Sequence, residues 1–429
     1  MGDYVLFSAI GTSDPIRGNF DGPMLHVVRH YRPKKVYLFF TEEMSQRVDE
    51  FGYEWCVKQL CPECEVVVIL TDIENAHDYS VFINEFPKHI ERIRDENKGA
   101  TLILTVSSGT QQMCSCLALE ALSRGLLAVQ VSTPEKGASF SKRVYKGFEY
   151  QQAFENDFDN GVAGETENRC REPDLSYYRH IIVKSQIREL INVYDYHGAL
   201  RLAKSELSGN IRLIRELESV ILRLQMKTDE AEAKTSDKSL FPVKKSTYRE
   251  KRCRILSEYL LVMFHKTLIV SIDDFSLRLT PFLQQLIADY LEFVFGFKIK
   301  EYIVKNNIIP DRFPPEMRAF VESEIGAELK GHKMSLLLMV SLFKYHAGTE
   351  DVDSILFSGL LNGNRLRNDV AHSLTGLTED EFEEGYGLTP KLLVHKLFGI
   401  MKKVYGTHAK ISPEQYAEKI TAVLLEVVG

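Results

Sequence analysis

No stretch of about 18 consecutive apolar residues occurs, so no membrane-crossing helix is expected. The opening MGDYVLFSAI lacks a basic segment ahead of a long apolar one. It reads as a first β-strand, not as a secretory signal. Excess positive charge is also missing. Lys and Arg number 53 against 60 Asp and Glu, a net charge of −7. A protein that coats duplex DNA is usually basic, so no stable DNA binding is expected, and any nucleic acid should meet a local basic site. Three phosphate or hydrolase signatures are absent. Without G-x-G-x-x-G after the first strand, a dinucleotide dehydrogenase is disfavoured. Without G-x-x-x-x-G-K-[ST], the chain is not a Walker-type NTPase, and without G-x-S-x-G an α/β-hydrolase is excluded as the working class. The hydrophobic fraction of 44% and charged fraction of 26% exclude a disordered or fibrous chain. Neither an internal repeat nor a low-complexity tract occurs.

Seven cysteines are present. An odd count without a secretory signal reads as reduced thiols in a cytoplasm. Cys61 and Cys64 form a C-x-x-C and Cys114 and Cys116 a C-x-C. A four-thiolate zinc site is conceivable, but the second pair falls on an expected helix with no loop to close around a metal. Buried structural thiols, and no metal, are the expectation.

A length of 429 residues predicts about three domains. Over the first 150 residues, short apolar runs alternate with helical spacing. The strands are expected at Tyr4–Ala9, Val36–Phe40, Val66–Leu70, Leu102–Val106 and Leu126–Val131, with helices at Val81–Ile93 and Gln111–Arg124. Strands apolar on both faces and separated by helices predict a Rossmann-like parallel sheet covered on both sides. Residues 152–174, acidic and Gly-containing, read as a connector or surface hairpin.

Asp174–Gln225 carries only helical signals, and KTDEAEAKTSDKS reads as a second polar linker. From about Lys244 the chain is again helical. Helices are expected at Tyr248–Lys266, Phe282–Ile299, Glu316–His346, Ile355–Ser373, Lys391–Tyr405 and Pro413–Val428, and several are apolar over most of their circumference, as in a compact all-α bundle. The fold class is therefore α/β plus all-α. Its parts are residues 1–172, a helical linker 173–243 and an all-helical domain 244–429.

In an open parallel sheet, ligands bind at the C-terminal ends of the strands. The first strand runs into Gly11, Thr12, Ser13 and Asp14, and the second into Thr41. The fourth runs into Ser107, Ser108, Gly109 and Thr110, directly before the helix that begins at Gln111. The fifth runs into Ser132 and Thr133. Small hydroxyls with glycine at a strand-to-helix turn present backbone N–H groups and the positive end of a helix dipole to phosphate. Each loop alone reads equally as a helix cap. Four such loops at one sheet edge favour a ligand, a polyphosphate or oligonucleotide.

The second informative segment is NGNRLRNDVAHSLTG, residues 362–376. Leu366, Val370 and Leu374 form an apolar i, i+4, i+8 stripe. Asn364, Asn368 and His372 repeat that spacing two residues earlier, about 200° around a helix, so the polar stripe lies opposite the buried one. Arg stabilises charge on a phosphorane-like transition state, imidazole transfers a proton near neutral pH, and Asn orients either group. Arg367 and His372 lie about 140° apart on an ideal helix, so one copy converges poorly on a single phosphate. Two copies across a two-fold axis would converge well. A solvated helix face with a stray histidine is the plain alternative. KKSTYREKRCR, residues 244–254, is locally basic, a candidate nucleic-acid contact or simply a solvated helix start.

Arg367-Asn368-Asp369-Val370-Ala371-His372 resembles the R-x4–6-H motif of HEPN ribonucleases. The zone with the GTSDP and SSGTQQM turns resembles a CARF domain, the CRISPR-associated Rossmann-like sensor. Their order resembles the ancillary ribonucleases of type III-A CRISPR systems, of the Csm group, over nearly the whole chain. The resemblance implies a homodimer whose CARF pair binds a cyclic oligoadenylate, commonly the six-membered ring in this branch. Gly11, Thr12, Ser13, Asp14, Thr41, Ser107, Ser108, Gly109, Thr110, Gln111, Ser132 and Thr133 then become activator-binding candidates. It implies that binding activates a HEPN pair that cuts single-stranded RNA without a metal or other cofactor. The 2′-OH attacks the neighbouring phosphate and leaves a 2′,3′-cyclic phosphate. His372 then handles the proton or holds the 2′-OH, Arg367 meets phosphate charge and Asn368 positions. Some members also degrade their activator slowly in the sensor pocket. Two other classes stay open on the residues alone: a nucleotide-sensing regulator whose helical half only dimerises or binds a partner, and a nucleotide-processing enzyme working in the α/β zone.

Overall fold

The computed structural model describes residues 3–134, 149–161, 167–304, 307–363, 366 and 376–429. The chain forms two compact units, residues 1–181 and 182–429.

The first unit is built on β1 (Tyr4–Ala9), a short hairpin of β2 (Ile16–Arg17) and β3 (Phe20–Asp21), then β4 (Lys35–Phe40), β5 (Glu65–Leu70), β6 (Thr101–Thr105), β7 (Leu127–Val131) and β8 (Cys170–Arg171). The main sheet runs β5-β4-β1-β6-β7-β8. Its first five strands are parallel, and β8 pairs antiparallel to β7. Strand periodicity of two sorts the side chains. Val5, Phe7 and Ala9 of β1 join Phe39, Leu104, Phe82 and Phe86 in one core. Leu6 and Ile10 join Val27, Val36, Leu38 and Ile103 in the other. Helices Tyr79–Glu96 and Gln111–Arg124 cover the first face, and helices Pro23–Tyr31 and Tyr53–Leu60 the second. The expected doubly covered sheet is thus present, with one departure. At the edge strand β5, Val68 and Leu70 are exposed.

Local signals set the element ends. Thr110 caps helix Gln111–Arg124, its Oγ1 accepting from Met113 N at 3.3 Å, and Gly125 closes the helix at φ 64°. Residues 150–171 are more than the surface connector that their composition predicts. They contain helix Tyr150–Glu155 and strand β8, and Asp157, Asp159 and Arg169 are buried beneath the β2–β3 hairpin.

The second unit is helical. Helices Tyr196–Glu206 and Ile211–Leu224 share a core with the last helix, Pro413–Val428, through Ala199, Leu213, Leu217, Tyr416, Ile420 and Leu424. Arg223 is enclosed there, with its guanidinium on Glu258 and its flat faces 4.3 Å from the Phe241 ring and 4.8 Å from the Tyr416 ring. The pair keeps a buried charge partnered. The segment read as a polar linker includes helix Thr228–Lys234. A larger core gathers helices Tyr248–Leu268, Ile272–Phe293, Leu336–Ala347 and Pro390–Tyr405. The single helix expected over Glu316–His346 is two, Pro315–Ile325 and Leu336–Ala347, because Gly326 ends the first at φ 67°. No helix among the described residues is long and apolar enough to cross a membrane.

Candidate functional site

Going outward from β1, the sheet adds β4 and β5 on one side and β6 and β7 on the other. This reversal places a crevice at the C-terminal ends of β1 and β6. Two glycines meet there. A Cβ built on Gly11 would lie 2.6 Å from Gly109 N and 2.9 Å from Gly109 Cα. Gly109 itself has φ +89°, and its own Cβ would lie 2.6 Å from Met113 Sδ. Both positions require glycine, one for space and one for space and conformation.

Asp14 ties the crevice together from below. It is fully buried. Its Oδ1 accepts from Met24 N at 2.9 Å, at the start of helix Pro23–Tyr31. Its Oδ2 accepts from Gly11 N at 3.2 Å and from the Ser108 hydroxyl. The carboxylate therefore joins the β1 loop, the β6 loop and one helix start, and both of its oxygens are used. Gly22 shares this tight packing, since a Cβ there would collide with Ser13 O.

The remaining hydroxyls differ in what they can offer. Thr110 Oγ1 accepts from Met113 N and donates to Ala76 O at 2.6 Å, so both roles are filled by the protein. Ser107 Oγ accepts from Val131 N at 2.6 Å, and Ser13 Oγ accepts from Arg17 Nη1 at 3.3 Å. Each of these serines keeps its hydroxyl hydrogen to donate. Ser13 and Ser107 line one cavity of about 160 Å³, with Arg17, Ser132, Thr133 and Arg169. Thr41 is buried at the N-terminus of the four-residue helix Glu42–Ser45, and Gln111 begins its helix with its side chain exposed. Of the sequence candidates, the structure gathers Ser13, Ser107, Ser132 and Thr133 around the cavity, with Gly11, Asp14, Ser108 and Gly109 as its packed frame.

Sequence reasoning missed Arg17 and Arg169. Arg169 is 4% exposed. It donates to Ser132 O at 3.1 Å, Asp21 O at 3.3 Å and Asp159 Oδ2 at 2.6 Å. Its backbone N–H donates to His26 Nε2 at 3.0 Å. His26 Nδ1 stands 3.2 Å from Asp21 Oδ2 and 3.1 Å from Arg169 Nη2. Arg29 forks onto Asp21 at 2.5 and 2.9 Å. Burial raises the Asp21 carboxyl, but the Arg29 and His26 hydrogen bonds outweigh it and hold its pKa down at about 2. Asp157 is driven up to about 8 by burial and by the Asp21 charge beside it. Asp21, His26 and Asp159 are the one group of metal-capable side chains among the described residues, and Arg29 and Arg169 already balance their charge. The two cysteine pairs are not brought together. Cys64 and Cys116 are buried, and burial pushes the Cys64 thiol up to about 12 and the Cys114 thiol to about 11.

In the second unit, Arg367, Asn368 and His372 lie outside the described residues. The flanks of their segment are described. Leu366, first member of the apolar stripe, packs against the core, where a Cβ on Gly385 would collide with its Cδ1. A Cβ on Gly363 would likewise collide with the Tyr386 ring. Leu377 is buried on the far side.

Comparison with known proteins adds independent evidence. Residues 63–170 match the family model of the Cas_Csm6 CARF domain, and residues 240–421 match that of the Cas_Csm6 HEPN domain. The chain belongs to the Csm6 family. Members are CARF–HEPN proteins of type III CRISPR systems, and both halves of the present chain carry the corresponding domain. The CRISPR system endoribonuclease Csm6 of Enterococcus italicus is 33% identical over 216 residues, 48% of this chain and 49% of that protein. The Mycobacterium tuberculosis Csm6 endoribonuclease is 32% identical over 206 residues, 46% of this chain and 49% of that protein. These alignments span about half the length of the relatives. A Streptococcus thermophilus Csm6' endoribonuclease is 25% identical over 91% of this chain and 92% of its own length. A solved structure, Enterococcus italicus Csm6 bound to cyclic hexa-2'-fluoro-hexa-dAMP, superposes with a TM-score of 0.73 over 99% of both chains at 21% identity, the same fold.

Proposed function

We propose that this chain is a cytoplasmic, metal-independent endoribonuclease of type III CRISPR defence, activated by a cyclic oligoadenylate. The observation that carries the sensor half is the crevice at the β1/β6 switch point, framed by Gly11 and Gly109 and opening beside serines that can donate to a ligand. The Enterococcus italicus structure holds a six-membered adenylate ring analogue, which supports the cyclic hexa-adenylate as activator. A ring with two-fold symmetry spans two such crevices in a homodimer. Tyr79, Ile83 and Leu119, exposed on the two helices that cover one sheet face, supply an apolar patch for pairing. In functional terms, residues 1–172 sense, 173–243 connect and 244–429 cut.

In the nuclease half, the family match and the seating of Leu366 support Arg367, Asn368 and His372 as the catalytic group. Arg367 meets the developing phosphorane charge. His372 transfers the proton or holds the substrate 2′-OH, and Asn368 positions. The attacking group is that 2′-OH, so RNA is cut and DNA is not. The test is cleavage of single-stranded RNA with and without cyclic tetra- and hexa-adenylate, each with and without EDTA. Ring-dependent cleavage that survives EDTA is expected. Cleavage that is abolished by EDTA and restored by a divalent ion removes the metal-free mechanism, and cleavage indifferent to both rings removes the sensor.

A further inference from the structure

The helical unit holds a cavity of about 520 Å³, lined by residues between Val193 and Arg278. That volume lies within the roughly 300–1,000 Å³ range of small-molecule sites. Three helix ends border it, each finished by a non-glycine residue at positive φ: Tyr194 at 62°, Met226 at 62° and Val270 at 54°. Past each of them an N–H reaches back into the last helical turn, Asp195 N to Leu190 O at 2.8 Å, Lys227 N to Leu222 O at 2.9 Å and Ser271 N to Lys266 O at 2.8 Å. Glycine is the usual residue at this place, because a side chain in the left-handed region is strained. A turn that glycine would serve with less strain thus keeps a tyrosine, and Tyr194 lines the cavity. Strained positions collect at ligand sites.

One wall is aromatic. The His265 ring stacks on Tyr196 with centroids 5.7 Å apart, and Tyr194 stands across both, 6.4 Å from Tyr196 and 6.2 Å from His265. Tyr196 is buried, whereas Tyr194 is half-buried and keeps ring surface open. Burial holds the His265 pKa down at about 4, so this wall carries no charge at pH 7. The cation is Arg278. Its guanidinium stands 5.8 Å from the centre of the Tyr259 ring and bonds the Tyr259 hydroxyl, and it makes no ion pair among the described residues. Lys266 is answered by Asp274 at 2.7 Å. Asp195, the one carboxylate among the described lining residues, accepts from Gly198 N at 2.8 Å as a helix cap. Two enclosed atoms of lining residues, His265 Nε2 and Arg278 Nε, have no hydrogen-bond partner in the protein. Open aromatic surface beside an unanswered guanidinium suits a ligand with a flat π face and an anionic group next to it.

We propose that this cavity is a substrate subsite that takes one nucleotide of an unpaired RNA strand, with its base against the Tyr194 ring and its phosphate on Arg278. The proposal rests on the ribonuclease reading above and deepens it by assigning residues other than 367–372 to holding the strand. Aromatic faces beside a cation bind single strands without regard to sequence, since every base has a π face. A purely apolar ligand would leave Arg278 unanswered, and a duplex keeps its bases inside the stack.

The test is fluorescence anisotropy of a labelled 2′-O-methyl uridine strand of about ten nucleotides, titrated with full-length wild type, Tyr194→Gly, Tyr194→Phe and Arg278→Gln at several salt concentrations. The methyl group blocks the attacking 2′-OH, so the probe is not cut, and uridine keeps it apart from an adenylate-binding sensor. Loss of one stacked base should weaken binding about five- to a hundredfold in Tyr194→Gly, and Tyr194→Phe should retain most of the affinity. Tyr194→Gly should melt near wild type, because relief of the strained φ offsets the lost ring contacts. Arg278→Gln should weaken binding about tenfold and flatten the slope of log affinity against log salt by about 0.7. A folded Tyr194→Gly or Arg278→Gln that keeps wild-type affinity would overturn the subsite. Tighter binding of free 5′-UMP than of the strand would overturn the assignment to a strand. Cleavage of unmodified RNA by wild type with cyclic hexa-adenylate is read in parallel. Its absence would overturn the ribonuclease reading and the substrate with it, whereas active wild type with unaffected variants overturns the subsite alone.

Discussion

Gly11 and Gly109 stand backbone to backbone, with 2.6 Å between the place of a Gly11 Cβ and the Gly109 nitrogen. Real Cβ atoms do not approach backbone this closely, and neither neighbour is a flexible side-chain end. Gly11→Ala must therefore push the β1 and β6 loops apart at the crevice. Gly109→Val adds a Cβ against Met113 Sδ at a φ of +89°, which strains a β-branched residue further. Both variants should lose cyclic hexa-adenylate binding and activation in calorimetry and cleavage assays, while the helical unit stays folded by circular dichroism. Wild-type affinity in Gly109→Val would mean that the ligand does not use this crevice.

Asp14→Ala should act through the scaffold. It strands the Met24 and Gly11 N–H groups and the Ser108 hydroxyl in a buried place. Each stranded group costs about 1–3 kcal/mol. A fall in unfolding free energy of about 3 kcal/mol is expected, measured by denaturant titration, and Asp14→Asn should recover part of it because one oxygen still accepts. A loss of affinity in Asp14→Ala without loss of stability would instead make Asp14 a ligand contact.

Thr110→Ala separates capping from ligand chemistry. The hydroxyl is committed to Met113 N and Ala76 O, so its removal should cost about 1 kcal/mol of stability and only a small factor in activator affinity. If activator is consumed in this pocket through positioning by Thr110, the variant should stay active longer at limiting cyclic hexa-adenylate. An unchanged time course would confine Thr110 to its cap.

The parallel sheet was legible because strands buried on both faces become continuous apolar runs, as in Tyr4–Ala9 and Lys35–Phe40. Helix Gln111–Arg124 was legible to the residue because Thr110 and Gly125 mark its ends. Helix boundaries were obscured where one signal overrode another. The helix expected over Phe282–Ile299 is Ile272–Phe293, which runs through Pro281, and Gly326 ends a helix inside the segment expected as the single helix Glu316–His346. The crevice loops were found from their small residues. Which hydroxyls face a ligand was not, since that depends on distant partners: Thr110 bonds Ala76 and Ser107 bonds Val131. The acidic stretch around Asp157 and Asp159 read as solvated because local composition cannot show Asp21 and Arg29, more than a hundred residues earlier, closing over it. Arg17 did leave a signal, a lone cation in the turn GTSDPIRGNFDGP.

The buried carboxyls give a pH signature. Asp157 binds its proton far more tightly folded than unfolded, so between its unfolded value near 4 and its folded value of about 8 the native state holds the extra proton. Stability contributed by this group is therefore greatest at low pH and is lost as pH rises through that window. Asp21, held down at about 2, works the other way, and its contribution is already complete above about pH 4. Asp157→Asn keeps an oxygen to accept from Asp159 N and removes the ionisable group. Its melting temperature should be flatter than wild type from about pH 5 to 8 and higher than wild type at about pH 8. Parallel pH profiles would show that Asp157 titrates normally.

The nuclease prediction turns on helix geometry. Arg367→Ala and His372→Ala should each remove most RNA cleavage, through loss of charge stabilisation or of proton transfer. On an ideal helix His372 belongs to the polar stripe, about 200° from the apolar one that Leu366 begins, whereas Arg367 lies about 100° from Leu366, so thermal melting of each variant is the control for folding. Five residues of separation turn Arg367 and His372 about 140° apart, so a single helix offers them poorly to one phosphate. In the proposed homodimer, Arg367 of one copy would meet His372 of the other. Mixing equal amounts of Arg367→Ala and His372→Ala chains, with subunit exchange confirmed by mass spectrometry, then gives mixed dimers in which one site keeps both groups. Cleavage should reappear at about a quarter of the wild-type level, although each variant alone has lost most of it. No recovery above the separate variants, in a sample whose subunits have exchanged, would show that a site does not take its two groups one from each copy, and the composite geometry would have to be abandoned.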